Sequence, residues 1–326
     1  MSNLLPFLVP VLYAPLGASA EYLALALFAV ILITFIRIRR SLAYNQQPNQ
    51  VVERGPGQRL LGAPLPALPF AKEDLDFALL SQVAYDAARK GRQPGSRDAV
   101  ADLAAEGWKR WPAFGQAQGL PTKLEASHLR VEIWVHYTKN CVAVAFAGTV
   151  FTNVKDWLSN LRWFIPFHED EYTETVHVFG PAFVSEFITN IRPTMKDADS
   201  VVLFCTGHSL GGGLAQQLAY ALPTCALVPR VKKVYAFDPS PVTGYFSVSR
   251  TLRGQNKKGL LIDRIYERGE ILAYIRSITN FIHKPSAINA EIRQIRYYLF
   301  KGSNPVYRHS IPEFAKKLWQ FTNSTA

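Results

Sequence analysis

Between the apolar run Val201–Phe204 and a helical pattern running through Leu214 and Leu218 stands Gly207-His208-Ser209-Leu210-Gly211. No other stretch constrains the fold as much. A serine with a glycine two residues away on each side, a strand before it and a helix after it describes a very tight turn. Side chains at 207 and 211 would fill the space where the strand and helix backbones nearly touch. The serine itself would sit in strained geometry. Leu210, Leu214 and Leu218 give the following helix its apolar face. The first turn of such a helix offers N–H groups to a developing negative charge.

The rest of the pattern sets this turn in an α/β sheet. Leu75, Leu79, Val83 and Ala84 predict a helix over 74–88, and Leu129–Tyr137 alternates as a strand. Thr138-Lys139-Asn140 reads as a turn before the apolar strand Cys141–Phe146. A helix is expected over 179–191, ending before Pro193, and Pro223 stops the helix after the serine. Val231–Phe237, Leu260–Tyr266 and Ile295–Phe300 read as further strands, with a last helix over 312–321. Strands alternating with helices imply a sheet that is parallel in its later half.

A serine so placed calls for a histidine base and an orienting carboxylate, in the chain order serine, acid, histidine. Only His283 and His309 follow Ser209. His283 comes too soon, with no strand between it and the candidate acids. His309 falls in a loop nine residues after Phe300, with a helix beyond. For the acid, the carboxyl edge of a strand is the expected place. Asp263 lies inside a strand and is disfavoured, while Asp238, Glu267 and Glu270 lie at strand ends. Gly269 supplies a turn directly before Glu270, which makes Glu270 the first choice and Asp238 the alternative.

The N-terminal region reads differently. An apolar run from Tyr22 to Ile36 is followed by Arg37-Ile38-Arg39-Arg40. It is slightly short of the ~20 residues that span a bilayer, but Arg37 can snorkel and Tyr22 suits an interface. The first 36 residues hold no Lys or Arg, which disfavours a secretory signal. The expectation is a short tail over 1–18, a single transmembrane helix over 19–38, a linker over 39–70 and a catalytic domain over 71–326. The basic cluster after the span places that domain in the cytosol. Pro48, Gly55-Pro56-Gly57, Pro64, Pro66 and Pro69 give the linker its reading.

The net charge of +11 points to an anionic partner. No zinc spacing or aromatic RNA-binding box accompanies it, so the expected partner is an anionic membrane surface and not nucleic acid. Residues 229–301 hold 14 Lys or Arg against 5 Asp or Glu. Ile271, Tyr274, Ile275, Ile278 and Ile282 form a helical stripe there that could rest on lipid. Cys141, Cys205 and Cys225 make no CxxC pair, and a disulfide framework is not expected.

From about Leu75 to its end, the chain resembles the class 3 (fungal-type) lipases of the α/β-hydrolase fold. The resemblance lies in Gly207–Gly211 and in Val142–Thr149 followed by Asp156-Trp157-Leu158. It extends to Val176-His177-Val178-Phe179 and Arg264–Leu272. It implies a central, mostly parallel sheet flanked by helices and a serine hydrolase of lipid carboxylic esters, phospholipid or acylglycerol, with no metal and no cofactor. It also places Glu270 on the family's catalytic acid, and Thr149 and the N–H of Leu210 on its oxyanion donors. The segment holding Trp157, Leu158, Trp163 and Phe164 corresponds to the family's lid over the substrate. Three positions depart from the family pattern: Glu270 stands for an Asp, Ala147 for an Arg, and the proline after the acid is missing. A thioesterase or soluble-ester hydrolase is the alternative enzyme, and an inactive membrane scaffold the alternative of another class.

Overall fold

The computed structural model describes residues 26–34, 36, 49–54, 65–88, 92, 94–111, 129–148, 172, 175–241, 243–273, 290–302 and 304–324. The chain divides into two compact units, one of residues 1–47 and 273–284, the other of 48–272 and 285–326. In the first, residues 26–34 are helical, with Leu27, Phe28, Ile31, Leu32 and Ile33 all exposed. Much of the expected span over 19–38 lies outside the described residues. Among those described, no helix is long and apolar enough to cross a membrane.

The second unit is built on one nine-stranded sheet. Its strands are β1 (Gln50–Arg54), β2 (Leu65–Pro66), β3 (Lys109–Arg110), β4 (Val131–His136), β5 (Cys141–Phe146), β6 (Val202–His208), β7 (Val231–Phe237), β8 (Leu261–Glu267) and β9 (Glu291–Tyr297). They lie in the order β2-β1-β9-β8-β7-β6-β5-β4-β3. β5 to β9 are parallel neighbours in chain order, and β1 and β4 border them antiparallel. Right-handed crossovers between successive parallel neighbours place the described crossover helices on one face.

That face is covered by a helical run over 175–194, by α4 (Leu210–Ala221) and by α5 (Arg250–Asn256). The run includes the short α3 (Gly180–Glu186) between two π-type turns, and Phe179, Phe183, Phe187 and Ile191 repeat every four residues along its buried side. They meet Val142, Val144 and Phe146 of β5 and Leu214 and Leu218 of α4 in one core. A second core fills the opposite face, where Ala143, Ala145, Tyr235, Phe237 and Ile295 meet α1 (Leu68–Ala88), α2 (Ala99–Ala105) and α7 (Ile311–Ser324). Residues of one strand thus alternate between two cores, as the period of a strand requires.

Three sequence expectations shift. The segment read as a linker supplies β1 and β2. Val51 and Val52 are buried and β1 pairs with β9, while Pro66 sits on the edge strand, where a missing N–H is tolerated. α1 begins at Leu68, with Pro69 in its first turn, so Asp74 lies mid-helix; its carboxylate accepts the Tyr297 hydroxyl at 2.6 Å. β9 runs from Glu291 to Tyr297 instead of 295–300. Its charged first half is held inside the sheet because Arg293 forks onto the buried carboxylate of Asp263, both contacts at 2.7 Å. Leu299 and Phe300 leave the ladder because their N–H groups donate to the Glu267 carboxylate at 3.1–3.2 Å.

Candidate active site

The site is assembled at the carboxyl edge of β5 to β9. β6 ends at His208 and α4 begins at Leu210, so Ser209 alone makes the turn, at φ 56° and ψ −123°. A non-glycine residue held there carries about 1–3 kcal/mol of strain, which the surroundings must impose. Both glycines are required by close approach. A Cβ on Gly207 would lie 2.3 Å from the Gly211 carbonyl oxygen, and one on Gly211 would lie 2.3 Å from that of Phe146. The exit of β5 presses on the same turn, since a Cβ on Gly148 would stand 2.6 Å from the His208 carbonyl oxygen. The Ser209 carbonyl is fixed by the N–H groups of Gly212 (3.1 Å) and Ser240 (2.9 Å). From the opposite face α1 braces the elbow, where the Tyr85 hydroxyl lies 3.1 Å from Nδ1 of His208 and donates to the His208 carbonyl at 3.3 Å.

The acid and the base arrive on neighbouring strands. After β8, Gly269 takes φ 73° and turns the chain, and Glu270 follows fully buried. Its Oε2 lies 2.8 Å from Nδ1 of His309 and also accepts the Leu272 N–H at 2.8 Å. His309 caps the short α6 (Pro305–Arg308) and donates its backbone N–H to Val306 at 3.1 Å. The ring is buried, and Nε2 has no hydrogen-bond partner among the described residues. With Glu270 on Nδ1, the ring is fixed in orientation and its other nitrogen is left to handle a proton.

Asp238 occupies a different place. It ends β7 at φ 39°, and its Oδ1 accepts the Glu267 N–H at 3.0 Å. Atoms of His208, Asp238 and His309 that could bind a metal lie within 4.8 Å of one another, so Asp238 stands near the base without the bond that Glu270 makes. These three could converge on a cation, although Nδ1 of His208, Oδ1 of Asp238 and Nδ1 of His309 are each already hydrogen-bonded. Asp263 is buried under the sheet against Arg293 and Lys233, away from the carboxyl edge.

Two contributors were not visible as such in the sequence. Tyr85, on α1, reaches the elbow across 123 positions of chain, and no local pattern signals such a contact. Glu267 reads in the sequence only as a candidate acid, yet its carboxylate anchors the backbone of Leu299 and Phe300 on the way to His309. Burial pushes the Glu267 carboxyl up to about 8, with the neighbouring Glu270 adding to the shift and the backbone N–H groups opposing it. Thr149 and the segment with Trp157, Leu158, Trp163 and Phe164 lie outside the described residues. Leu210, half-buried, is the first residue of α4, where helix geometry provides N–H groups without intrahelical acceptors.

Residues 76–227 match a phospholipase-like family, described as the Tle-like phospholipase domain. The match runs from α1 to just past α4. The matched segment contains Ser209 and Leu210, and Glu270 and His309 follow it. The sheet with its strand–serine–helix elbow gives the chain the α/β-hydrolase fold. Among solved structures it is similar to lipase II from Rhizopus niveus, with 14% identity, a TM-score of 0.43 and coverage of 69% of this chain and 77% of that one. It is also similar to lipase from Rhizopus microsporus var. chinensis (14% identity, TM-score 0.39, 71% and 77% covered). Lip2 lipase from Yarrowia lipolytica matches at 13% identity and a TM-score of 0.39, again with 71% and 77% covered. Overlaps this loose say nothing about what the site does. No curated protein matches the chain.

Proposed function

We propose that the chain is a lipid ester hydrolase that works through an acyl-enzyme on Ser209. One observation carries the reading: the buried Glu270–His309 pair, 2.8 Å apart, at the same sheet edge as a serine held at positive φ. In this reading Nε2 of His309 takes the Ser209 proton as Oγ attacks the ester carbonyl. Glu270 keeps the ring in the required tautomer and stabilises it once charged. The Leu210 N–H, with Thr149, receives the oxyanion. His309 then protonates the departing alcohol, and water, activated by the same ring, releases the fatty acid.

The phospholipase-like domain supports a phospholipid or acylglycerol as substrate. The exposed apolar side chains of helix 26–34 and the basic cluster Arg37–Arg40 support a single-pass anchor with the catalytic unit on the cytosolic side. A fluorophosphonate probe should label the wild-type chain and not Ser209→Ala, and undiminished labelling of that variant overturns the assignment. Incubating both proteins with mixed lipid vesicles and analysing the products identifies which ester is cut.

A further inference from the structure

Beside the candidate base lies a surface that the chemistry itself does not use. α6 is capped by Asn304, whose Oδ1 accepts the Tyr307 N–H at 2.7 Å, and Pro305 opens its first turn. Val306 and Tyr307 point outward, 44% and 43% exposed, three and two residues before His309. The surface is rigid. The Tyr307 ring stands edge-on to buried Phe300 at 5.7 Å, and Glu313 holds its hydroxyl. The Ile271 N–H donates to the Pro305 carbonyl at 3.2 Å, and Nη1 of Arg308 donates to that of Arg268 at 2.7 Å, which joins α6 to the turn carrying Glu270.

The charges on this surface have one sign. Arg268 and Lys301 are exposed and Arg308 is half-buried. The carboxylates that face it, Glu267, Glu270 and Glu313, are buried and engaged with backbone N–H groups, His309 and the Tyr307 hydroxyl. An ordered aliphatic and tyrosyl ridge inside a basic rim complements the headgroup layer of an anionic bilayer. There the valine and the exposed part of the tyrosine ring present apolar surface, and the arginine and lysine meet phosphate.

We propose that α6 and the turn after β8 dock the catalytic unit on an anionic lipid surface, with Val306 and Tyr307 entering the headgroup layer. The proposal rests on the reading of the site as a lipid ester hydrolase, since docking here sets the ester beside His309. It is tested on the full chain in a Cys225→Ser background, where the remaining thiols, Cys141 and Cys205, are buried. Val306→Cys is labelled with an environment-sensitive nitrobenzoxadiazole dye. Phosphatidylcholine vesicles containing phosphatidylglycerol should shift its emission to the blue, and pure phosphatidylcholine vesicles should not. A dye at Phe246→Cys, 76% exposed on the turn before α5, should keep its aqueous emission.

Replacing Arg268 and Lys301 by Gln should weaken the lipid response about fivefold per charge. A dye at Lys301→Cys reports on the same surface should Val306→Cys fail to fold. The proposal is overturned if protein floats with anionic vesicles while the dye at 306 stays in water. An equal response to neutral vesicles, or the same shift produced by a soluble acidic protein, also overturns it. The measurement needs no turnover and is repeated with Ser209→Ala. A blue shift without hydrolysis in the wild type would then count against the catalytic reading alone, and hydrolysis without the shift against docking alone.

Discussion

Oε2 of Glu270 lies 2.8 Å from Nδ1 of His309, while Asp238, at the end of the neighbouring strand, gives its Oδ1 to the Glu267 N–H at 3.0 Å. The two carboxylates that a sequence reader would weigh as the orienting acid therefore have separate tasks. Glu270 is bonded to the ring. Asp238 ties the ends of β7 and β8 together and so sets where the Glu270 turn begins.

This division is measurable. Glu270→Gln keeps the shape of the side chain but loses the charge that orients and stabilises the ring. It should lower kcat for a soluble nitrophenyl ester on the order of a thousandfold. Asp238→Asn should act chiefly on stability, lowering Tm by several degrees with a far smaller change in kcat. The opposite ranking would assign the acid to Asp238.

The elbow glycines give a steric prediction. Gly207→Ala and Gly211→Ala each drive a methyl to 2.3 Å from a backbone oxygen, which no rotamer change relieves. Each should lose about 3 kcal/mol in urea unfolding. Gly254→Ala is the control. Its Cβ would meet nothing within 4 Å in α5, and it should gain up to about 1 kcal/mol in helix propensity.

β5 and the strand before the elbow are legible because their side chains face a core on both sides, which leaves apolar runs with sharp ends, and β7 is legible through its apolar second half, Val234–Phe237. The first half of β9 is hidden in the sequence because its charges signal exposure, whereas Arg293 is neutralised by Asp263 from the adjacent strand. β1 is hidden for a related reason. Its burial depends on pairing with a strand more than 230 positions away, in a stretch rich in turn residues. Within the site, residue type and chain order pointed to Glu270 and His309, which the fold brings into contact. The supports, Tyr85 and Glu267, act through contacts that only the folded chain creates.

Glu267 makes stability depend on pH. Burial raises its carboxyl from the ordinary range to about 8, so the folded state holds a proton that the unfolded chain releases. With more protons bound in the native state, stability falls as pH rises from about 4.5 to about 8 and then levels off. Buried Asp74, also raised mainly by desolvation, acts in the same direction. Glu267→Gln removes one of these titrations, so its Tm should decline less steeply than that of wild type between pH 5 and pH 8. Parallel Tm–pH curves would show that Glu267 is not protonated in the fold.

Asp263 offers the complementary test, because it is a fully buried acid placed for structure. Arg293 contacts it at 2.7 Å and Lys233 at 2.9 Å, and both cations are themselves largely buried. Removing the carboxylate strands the Arg293 guanidinium and leaves Lys233 with Glu73, at 2.9 Å, as its remaining acidic partner. Breaking a buried ion pair from one side costs about 3–5 kcal/mol, mostly the penalty of the charge left behind. Asp263→Ala should therefore show a large loss in urea unfolding. Asp263→Ala with Arg293→Met should recover part of it, since the stranded guanidinium is gone. Fluorophosphonate labelling of the folded fraction should stay near the wild-type rate, because Asp263 lies under the sheet and the Ser209 elbow at its edge. If labelling collapses while stability holds, Asp263 has a part in the chemistry.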